Sequence, residues 1–282
     1  MAATNVTAAE RFKELVKNSD ESLDLAEAAL LIAQEEYPDL DITAYLQRLD
    51  EFAGAVRARI SSDAVPENVI ATMNYFLFKE MGFAGNTGDY YDPRNSFLNE
   101  VLDRRLGIPL TLSILYIEVG QRLGLDLEGI SFPGHFLVKL RLAKGEVVLD
   151  PYEGGVSLSE EDLGQRLIQA FGGKLPKVPL ARLLEGAPKK EILVRMLRNL
   201  KNIYVEKEMF AKALCAIDRI LLTTPGLATE LRDRALVYER LECAQAAIDD
   251  YRRYLELEPE AADSEDIRVR MIDLQRRSPP LH

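Results

Sequence analysis

Side chains for acid–base and thiol chemistry are scarce in this 282-residue chain, which limits where a reaction could occur. The two histidines are His135 and His282, and the two cysteines are Cys215 and Cys243. With so few of both, we expect no conventional four-ligand zinc site unless carboxylates contribute. The cysteines lie far apart and form no Cys-x-x-Cys, which argues against a disulfide framework. We therefore expect no metal and no cofactor.

His135 and Asp150 are the pair whose types could support proton transfer. Short apolar runs predict strands over 127–130, 135–140 and 146–150, with turn formers between them. If residues 141–144 form the connecting loop, His135 faces Asp150 directly. A two-residue turn would slide the strands and separate the pair. A carboxylate beside an imidazole selects its tautomer and raises its basicity, which is half of a catalytic triad.

That register also places an opposite-charge pair across the strands. Lys139 then faces Glu146, and apolar residues face each other on the opposite side of the sheet. The pair still needs a nucleophile within hydrogen-bond reach for acyl transfer.

Helical periodicity and end signals surround these strands. The first predicted helix begins at a Ser22 cap, and a loop of about twelve residues, 83–94, is long enough to suggest a function. The predicted helices span 22–36, 41–60, 65–81, 95–106, 109–123 and 157–170. A linker is expected over 172–188.

The carboxy-terminal third contains an internal repeat with a period of 34 residues. Matching positions are Tyr204 and Tyr238, Ala213 and Ala247, Ile217 and Tyr251, and Pro225 and Pro259. This period and these packing positions predict tetratricopeptide-type helical hairpins. Two positions depart from the usual pattern: Lys201 stands in place of Gly, and Arg234 in place of Leu.

The net charge of −11 is confined to one part of the chain. Residues 1–187 carry 18 basic and 29 acidic side chains, whereas residues 188–282 carry 17 of each. This balance argues against nucleic acid or an anionic membrane as the main partner. The acidic excess is either a solvated face or a docking surface for a basic partner.

The start of the chain resembles no export signal, and the apolar stretch 108–119 is too short to span a bilayer, so we expect a cytoplasmic protein.

Three motifs together resemble the SirB-type invasion-regulator family. They are Asn95-Ser-Phe-Leu-Asn-Glu through Ile114-Leu-Tyr116, Pro133-Gly-His-Phe-Leu137, and Leu149-Asp-Pro-Tyr-Glu-Gly-Gly155. The resemblance covers most of the chain and implies a transglutaminase-like domain followed by tetratricopeptide repeats.

The resemblance also implies where a Cys-His-Asp triad would lie. In transglutaminase-like enzymes the cysteine occupies the first turn of a helix, whose dipole supports the thiolate. Pro109 stands in that position here, while His135 and Asp150 match the other two members. Thr111 is a weak substitute because an unactivated hydroxyl is a poor nucleophile. Cys215 and Cys243 are expected to pack inside repeat helices.

Five residues are therefore candidates for a binding cleft. They are Asn95, Asn99, Thr111, His135 and Asp150. Asn95 is expected to cap a helix, and Asn99, inside that helix, is expected either to be exposed or, by slight preference, to bond to the 85–94 loop.

The predicted fold class is α+β. A mostly helical, transglutaminase-like (papain-like) domain with a small antiparallel sheet precedes an all-α tetratricopeptide-like segment. The first domain is expected over 1–180, with a helical lobe at 8–82 and a core at 83–172. The second covers 188–282, with repeats at 192–225 and 226–259 and a capping helix.

The sequence leaves three functional interpretations open. The leading one is a non-catalytic module that binds or regulates a protein partner, with the repeats as a contact surface or a brace. The alternative is a hydrolase or acyl-transferase that uses His135 and Asp150, without a cysteine, on an amide or thioester. The third is a cleft that binds an amino-acid side chain or chain terminus without chemistry.

Overall fold

The computed structural model describes residues 7–174 and 176–277. The chain forms two compact units, Met1–Ile192 and Leu193–His282. Within the described residues, no helix combines the length and apolar composition needed to cross a membrane.

Four helices form the amino-terminal part of the first unit. They are α1 (Ala8–Leu15), α2 (Leu25–Ala33), α3 (Ile42–Arg57) and α4 (Pro66–Asn74), and α4 continues as a π-helix over Tyr75–Glu80. Eight of the nine residues of α2 are buried, so this helix lies inside the lobe. The expected Ser22 cap is wrong: Asp24 caps α2 by accepting a hydrogen bond from the backbone N–H of Glu27 at 2.9 Å.

The helix predicted over 95–106 is divided in two. A 3₁₀ turn spans Pro93–Ser96, and helix α5 spans Leu98–Arg104. Phe97 separates them because its backbone is extended, with φ −101° and ψ 123°. Two-residue strands flank this region and pair in parallel: β1 (Ala84–Gly85) and β2 (Leu106–Gly107). Strands this short leave no alternating pattern that a sequence could reveal.

Helix α6 (Pro109–Arg122) is the central element of the first unit. Twelve of its fourteen residues are buried. The hydroxyl of Ser113, in its second turn, donates to the carbonyl oxygen of Phe136 at 3.4 Å. This bond brings the first half of α6 close to the segment that contains His135 and Phe136.

The antiparallel sheet has four strands in chain order. They are β3 (Leu127–Ile130), β4 (Leu137–Leu142), β5 (Gly145–Asp150) and β6 (Val156–Leu158). The predicted register of β4 and β5 is wrong, because Ala143 and Lys144 alone form the turn. Val138 therefore faces Leu149, and Lys139 faces Val148 instead of Glu146.

Lys139 still reaches Glu146 along a diagonal. Its Nζ lies 3.4 Å from Glu146 Oε2, while Arg141 is the residue directly opposite Glu146. Diagonal neighbours on one sheet face lie within reach of a long side chain. The ion pair was predicted correctly although the register was not.

Helix α7 (Glu160–Ala170) covers one face of the sheet. It begins as predicted, with Ser159 and Asp162 forming a capping box. The core between them contains Ile130, Phe132, Leu137, Val148, Leu163 and Leu167. A short helix, α8 (Leu180–Leu183), lies in the segment expected to be a linker, and Leu180, Leu183 and Leu184 pack against this core.

Helical hairpins form the second unit. The helices are α9 (Lys189–Glu206), within which the boundary between the units falls, α10 (Phe210–Thr223), α11 (Ala228–Arg240), α12 (Ala244–Leu257) and α13 (Ser264–Arg277). The repeated positions Ala213, Ala247, Ile217 and Tyr251 are fully buried. Residues 278–282, the end of the predicted second domain, lie outside the described residues. The α+β fold class with a helical repeat segment is confirmed.

The two departures from the repeat pattern are cations that join helices: Lys201 is buried and Arg234 is partly buried. Lys201 Nζ lies 2.8 Å from Glu230 Oε2 and 2.7 Å from Asp233 Oδ2, linking α9 to α11. Arg234 Nε lies 2.6 Å from Asp250 Oδ2, and its Nη1 lies 2.7 Å from Asp218 Oδ1. Each long cation thus occupies a packing position of the repeat and is neutralised by carboxylates on neighbouring helices.

Candidate functional site

The structure brings His135 and Asp150 together. Nε2 of His135 lies 3.0 Å from both carboxylate oxygens of Asp150. Asp150 is the last residue of β5, whereas His135 lies two residues before β4. Because His135 precedes the strand, its ring is not restricted to the paired position and reaches Asp150 across the shifted register. The contact was predicted from a register that does not exist.

Asp150 also binds two other donors. Nη2 of Arg166, on α7, lies 2.9 Å from Oδ2, and the backbone N–H of Tyr152 donates to Oδ1 at 3.0 Å. The carboxylate is fully buried and already paired with a permanent cation. Asp150 therefore has an ionic partner on α7 in addition to its contact with His135.

Sequence reasoning missed Arg166. It lies in a predicted helix with many charged neighbours, and nothing in its spacing shows that α7 packs beside the end of β5. Only the three-dimensional arrangement distinguishes it from a solvated helix-surface arginine.

The position expected for a nucleophile contains no reactive group. Pro109 is buried at the first residue of α6, and Ile108 occupies the cap position before it. The Thr111 hydroxyl donates to the carbonyl oxygen of Asn95 at 2.7 Å and accepts from the backbone N–H of Ile108 at 3.2 Å. These bonds give Thr111 a structural role at the start of α6.

The expected packing role of the cysteines is wrong. Cys215, on α10, and Cys243, just before α12, both belong to the second unit and are exposed. Neither contributes to the core of the repeats.

Asn95 organises the loop before it instead of capping a helix. Its Nδ2 donates to the carbonyl oxygens of Asp89 at 2.7 Å and Tyr90 at 3.2 Å. Its Oδ1 accepts from Nδ2 of Asn86 at 3.0 Å. Asn95 is fully buried, so these bonds form the inner side of the loop.

Asn99 does not make the expected bond to this loop through its carbonyl oxygen. The side chain is buried, and Oδ1 accepts no hydrogen bond within the described part of the chain. The hydroxyl of Ser96 is also buried without a partner there. Buried polar atoms of this kind cost about 1–3 kcal/mol each.

The ring of Tyr152 packs beside the ring of His135. The two rings meet edge to face with centroids 5.8 Å apart. Gly85 lies against the tyrosine ring so closely that a Cβ at this position would come within 2.3 Å of it. The β1 strand therefore needs glycine here, and the ring of Tyr152 is held between Gly85 and His135.

Comparisons with known proteins agree with this architecture. Residues 43–198 match a family model described as the transglutaminase-like superfamily, and residues 200–271 match a tetratricopeptide repeat model. A UPF0162 protein of Xylella fastidiosa is 40% identical over 96% of this chain and 97% of its own length. A UPF0162 protein of Vibrio cholerae is 32% identical over 84% of this chain and 87% of its own length. Protein SirB1 of Salmonella typhimurium is 26% identical over 88% and 90% respectively.

Proposed function

Because this chain belongs to the transglutaminase-like family that includes the UPF0162 proteins and SirB1, we propose that it is a non-catalytic, cytoplasmic module that binds or regulates a protein partner. The observation that carries the proposal is the buried Pro109 at the first residue of α6. A proline side chain can neither attack a carbonyl nor transfer a proton.

The surroundings of Asp150 support the same function. The carboxylate joins the end of β5, the loop before β4 and helix α7 through Tyr152, His135 and Arg166. An ion pair in this position joins three segments. We propose that the retained pair preserves the arrangement of these segments and takes no part in a covalent reaction.

The repeats supply a second feature suited to a protein partner. A groove of about 530 Å³ lies among α9, α11 and α13 within the second unit. Its lining combines apolar side chains with charged side chains of both signs, including Val205, Phe210, Leu236, Arg240 and Glu206. Apolar floors with charged rims are typical of surfaces that bind segments of other proteins. This groove is the contact surface that we propose for the repeats.

An activity assay tests the non-catalytic proposal. The full chain is incubated with amide and thioester substrates and, separately, with a thiol-directed probe. We expect no turnover above buffer, and labelling only at Cys215 and Cys243. Turnover that survives Cys215→Ser with Cys243→Ser and is lost in His135→Ala would overturn the proposal.

One observation favours a second candidate, a hydrolase or acyl-transferase that needs no cysteine. His135 and Asp150 remain in contact, and a correctly placed base can accelerate a reaction by about 10²–10⁴-fold through water alone. In that case the pH–rate profile shows a histidine-like ionisation that disappears in His135→Ala. A flat profile would exclude this candidate.

A further inference from the structure

Two neighbouring tyrosines are strongly exposed on the loop that precedes Asn95. The side chains of Tyr90 and Tyr91 are 44% and 64% exposed. Their rings meet edge to face with centroids 5.4 Å apart. Tyrosines that present this much ring surface to water are common at protein interfaces, where a rigid ring adds contact area at a small cost in conformational entropy.

The loop that carries them is held in place by buried polar groups. Asn95 binds the carbonyl oxygens of Asp89 and Tyr90, and Oδ1 of Asn86 accepts from the backbone N–H of Asp89 at 3.1 Å. The backbone N–H of Asn86 donates in turn to the carbonyl oxygen of Gly107 at 2.9 Å. Surface loops are usually mobile, so a buried network under this one fixes the two rings in advance of any contact.

Tyr152 adds a third ring on the same side of the unit. Gly85, at the start of this loop, lies against the ring of Tyr152, so the loop and this ring are neighbours. Burial raises the pKa of Tyr152, and Tyr90, Glu153 and Asp150 raise it further. We call Tyr90, Tyr91 and Tyr152 the tyrosine surface. Tyr152 also meets His135, so the tyrosine surface continues to the His135–Asp150 pair.

Two carboxylates beside the rings lack an ionic partner. Asp89 and Glu153 are exposed and form no ion pair among the described residues. Arg94 and Arg104 share the single carboxylate of Asp92, and Arg166 pairs with Asp150. Asp89 and Glu153 therefore remain available to a cation that binds beside the rings.

We propose that the tyrosine surface binds a basic, arginine-bearing segment of a protein partner. The faces of tyrosine rings attract cations, and a guanidinium can stack on a ring while its N–H groups reach carboxylates such as Asp89 and Glu153. An acidic segment would be repelled by the same carboxylates. The inference rests on the proposed function, for which it specifies the chemistry of the partner.

A peptide titration of the full chain tests this inference. The probe is a short fluorescein-labelled peptide of alternating arginine and serine, and the reference peptide replaces each arginine by citrulline, its uncharged isostere. At an ionic strength of about 0.15 M, distant charges are screened beyond about 8 Å. We expect the arginine peptide to bind at least about tenfold more tightly than the citrulline peptide.

Matched variants show whether the rings and the local carboxylates are responsible. Tyr91→Ala should weaken binding about fivefold, whereas Tyr91→Phe, which keeps the ring, should stay within about twofold. Asp89→Asn with Glu153→Gln should also weaken binding, and Glu51→Gln, which removes one charge from α3, should not. The network of Asn95 contacts the backbone of the loop, so these variants leave it in place.

Three results would overturn the inference: equal binding of the two peptides, no effect of Tyr91→Ala, or an effect of Glu51→Gln as large as that of the Asp89 and Glu153 pair. None of these results bears on the non-catalytic proposal, which depends on turnover. Turnover that requires His135 would contradict the proposed function even if the arginine peptide binds.

Discussion

Asp150 has three polar partners on its two buried oxygens. They are His135 before β4, Arg166 on α7, and the backbone N–H of Tyr152, two residues further along the chain. Charge-assisted bonds of this kind are among the stronger ones in proteins. A carboxylate in this position stabilises the first unit whether or not a reaction takes place beside it.

Removing the charge of Asp150 should therefore destabilise the protein. We expect Asp150→Asn to lower the free energy of unfolding by about 2–3 kcal/mol, because Arg166 loses its ionic partner. His135→Ala should cost less, about 1 kcal/mol, since Asp150 keeps its other donors. Urea unfolding followed by circular dichroism measures both. Asp126→Asn, at an exposed acid of the first unit that forms no ion pair among the described residues, serves as the control and should cost under about 0.5 kcal/mol. A stable Asp150→Asn would contradict the structural role.

Glu118 gives a prediction that depends on pH. Burial raises the pKa of this carboxyl above its ordinary value of 4.5, and Arg122 opposes the rise only in part. The folded state thus retains a proton that the unfolded chain has already lost, so the contribution of Glu118 to stability falls as the pH rises through this range.

Glu118→Gln removes that dependence because glutamine stays neutral. The free energy of unfolding of the variant minus that of the natural chain should become more positive between about pH 4.5 and pH 7, because only the natural chain loses stability as the pH rises. Urea unfolding at both pH values measures the difference. A difference that stays constant, or that becomes more negative as the pH rises, would contradict a raised pKa for Glu118.

The candidate site was predictable only where a motif marks it. His135 and Asp150 were found from their residue types in two neighbouring predicted strands, and Pro109 by resemblance, whereas Arg166 carries no local signal. Asn95 was expected to cap a helix because asparagine favours that position. The preference did not decide its role, since the extended backbone of Phe97 starts α5 later and leaves Asn95 for the loop.

The main error in the predicted secondary structure is the strand register of β4 and β5, which follows from the length of the turn between them. The helices with strong end signals, such as α7 with its capping box, were predicted well. The strands β4 and β5 were also found, but Ala143 and Lys144 form a two-residue turn with few of the usual turn signals. The two-residue strands β1 and β2 depend wholly on the packing of the segments around them.

The hairpin turns of the repeats hold non-glycine residues in a left-handed conformation. Glu208 and Glu242, one repeat apart, have φ values of 55° and 58°. We expect Glu242→Gly to raise the free energy of unfolding by up to about 1 kcal/mol, because glycine adopts this conformation without strain. Thermal unfolding measures the change. Glu242→Val is the matched control and should destabilise, since a β-branched side chain fits this region poorly. A stabilising Glu242→Val would contradict the assigned backbone.

A change to glycine at Lys201, the residue that the usual repeat pattern has there, should destabilise the protein, unlike the change to glycine at Glu242. Lys201→Gly should destabilise the protein by about 3–5 kcal/mol, because it leaves the buried carboxylate of Glu230 with less compensation. Chemical denaturation measures the loss. The double variant Lys201→Met with Glu230→Gln should recover most of it. Stabilisation by glycine alone would show that the ion pair does not support the repeats.

The two units differ in charge as well as in fold. Residues 1–187 are acidic and contain the tyrosine surface, whereas residues 188–282 are neutral and contain the repeat groove. The sequence revealed this division, the fold class and the period of the repeats, because each of them is a property summed over many residues. It could not reveal the tyrosine surface, which requires the loop and the end of β5 to meet in space.

Turnover by the full chain and by His135→Ala tests the central claim most directly. Both proteins are incubated with the same thioester at pH 7, and their rates are compared after subtraction of the buffer rate. The non-catalytic account predicts that both rates equal the background, while His135→Ala shows a measurable loss of stability. A rate for the natural chain about 10²-fold or more above that of His135→Ala would show that the pair performs general-base catalysis and would contradict the account.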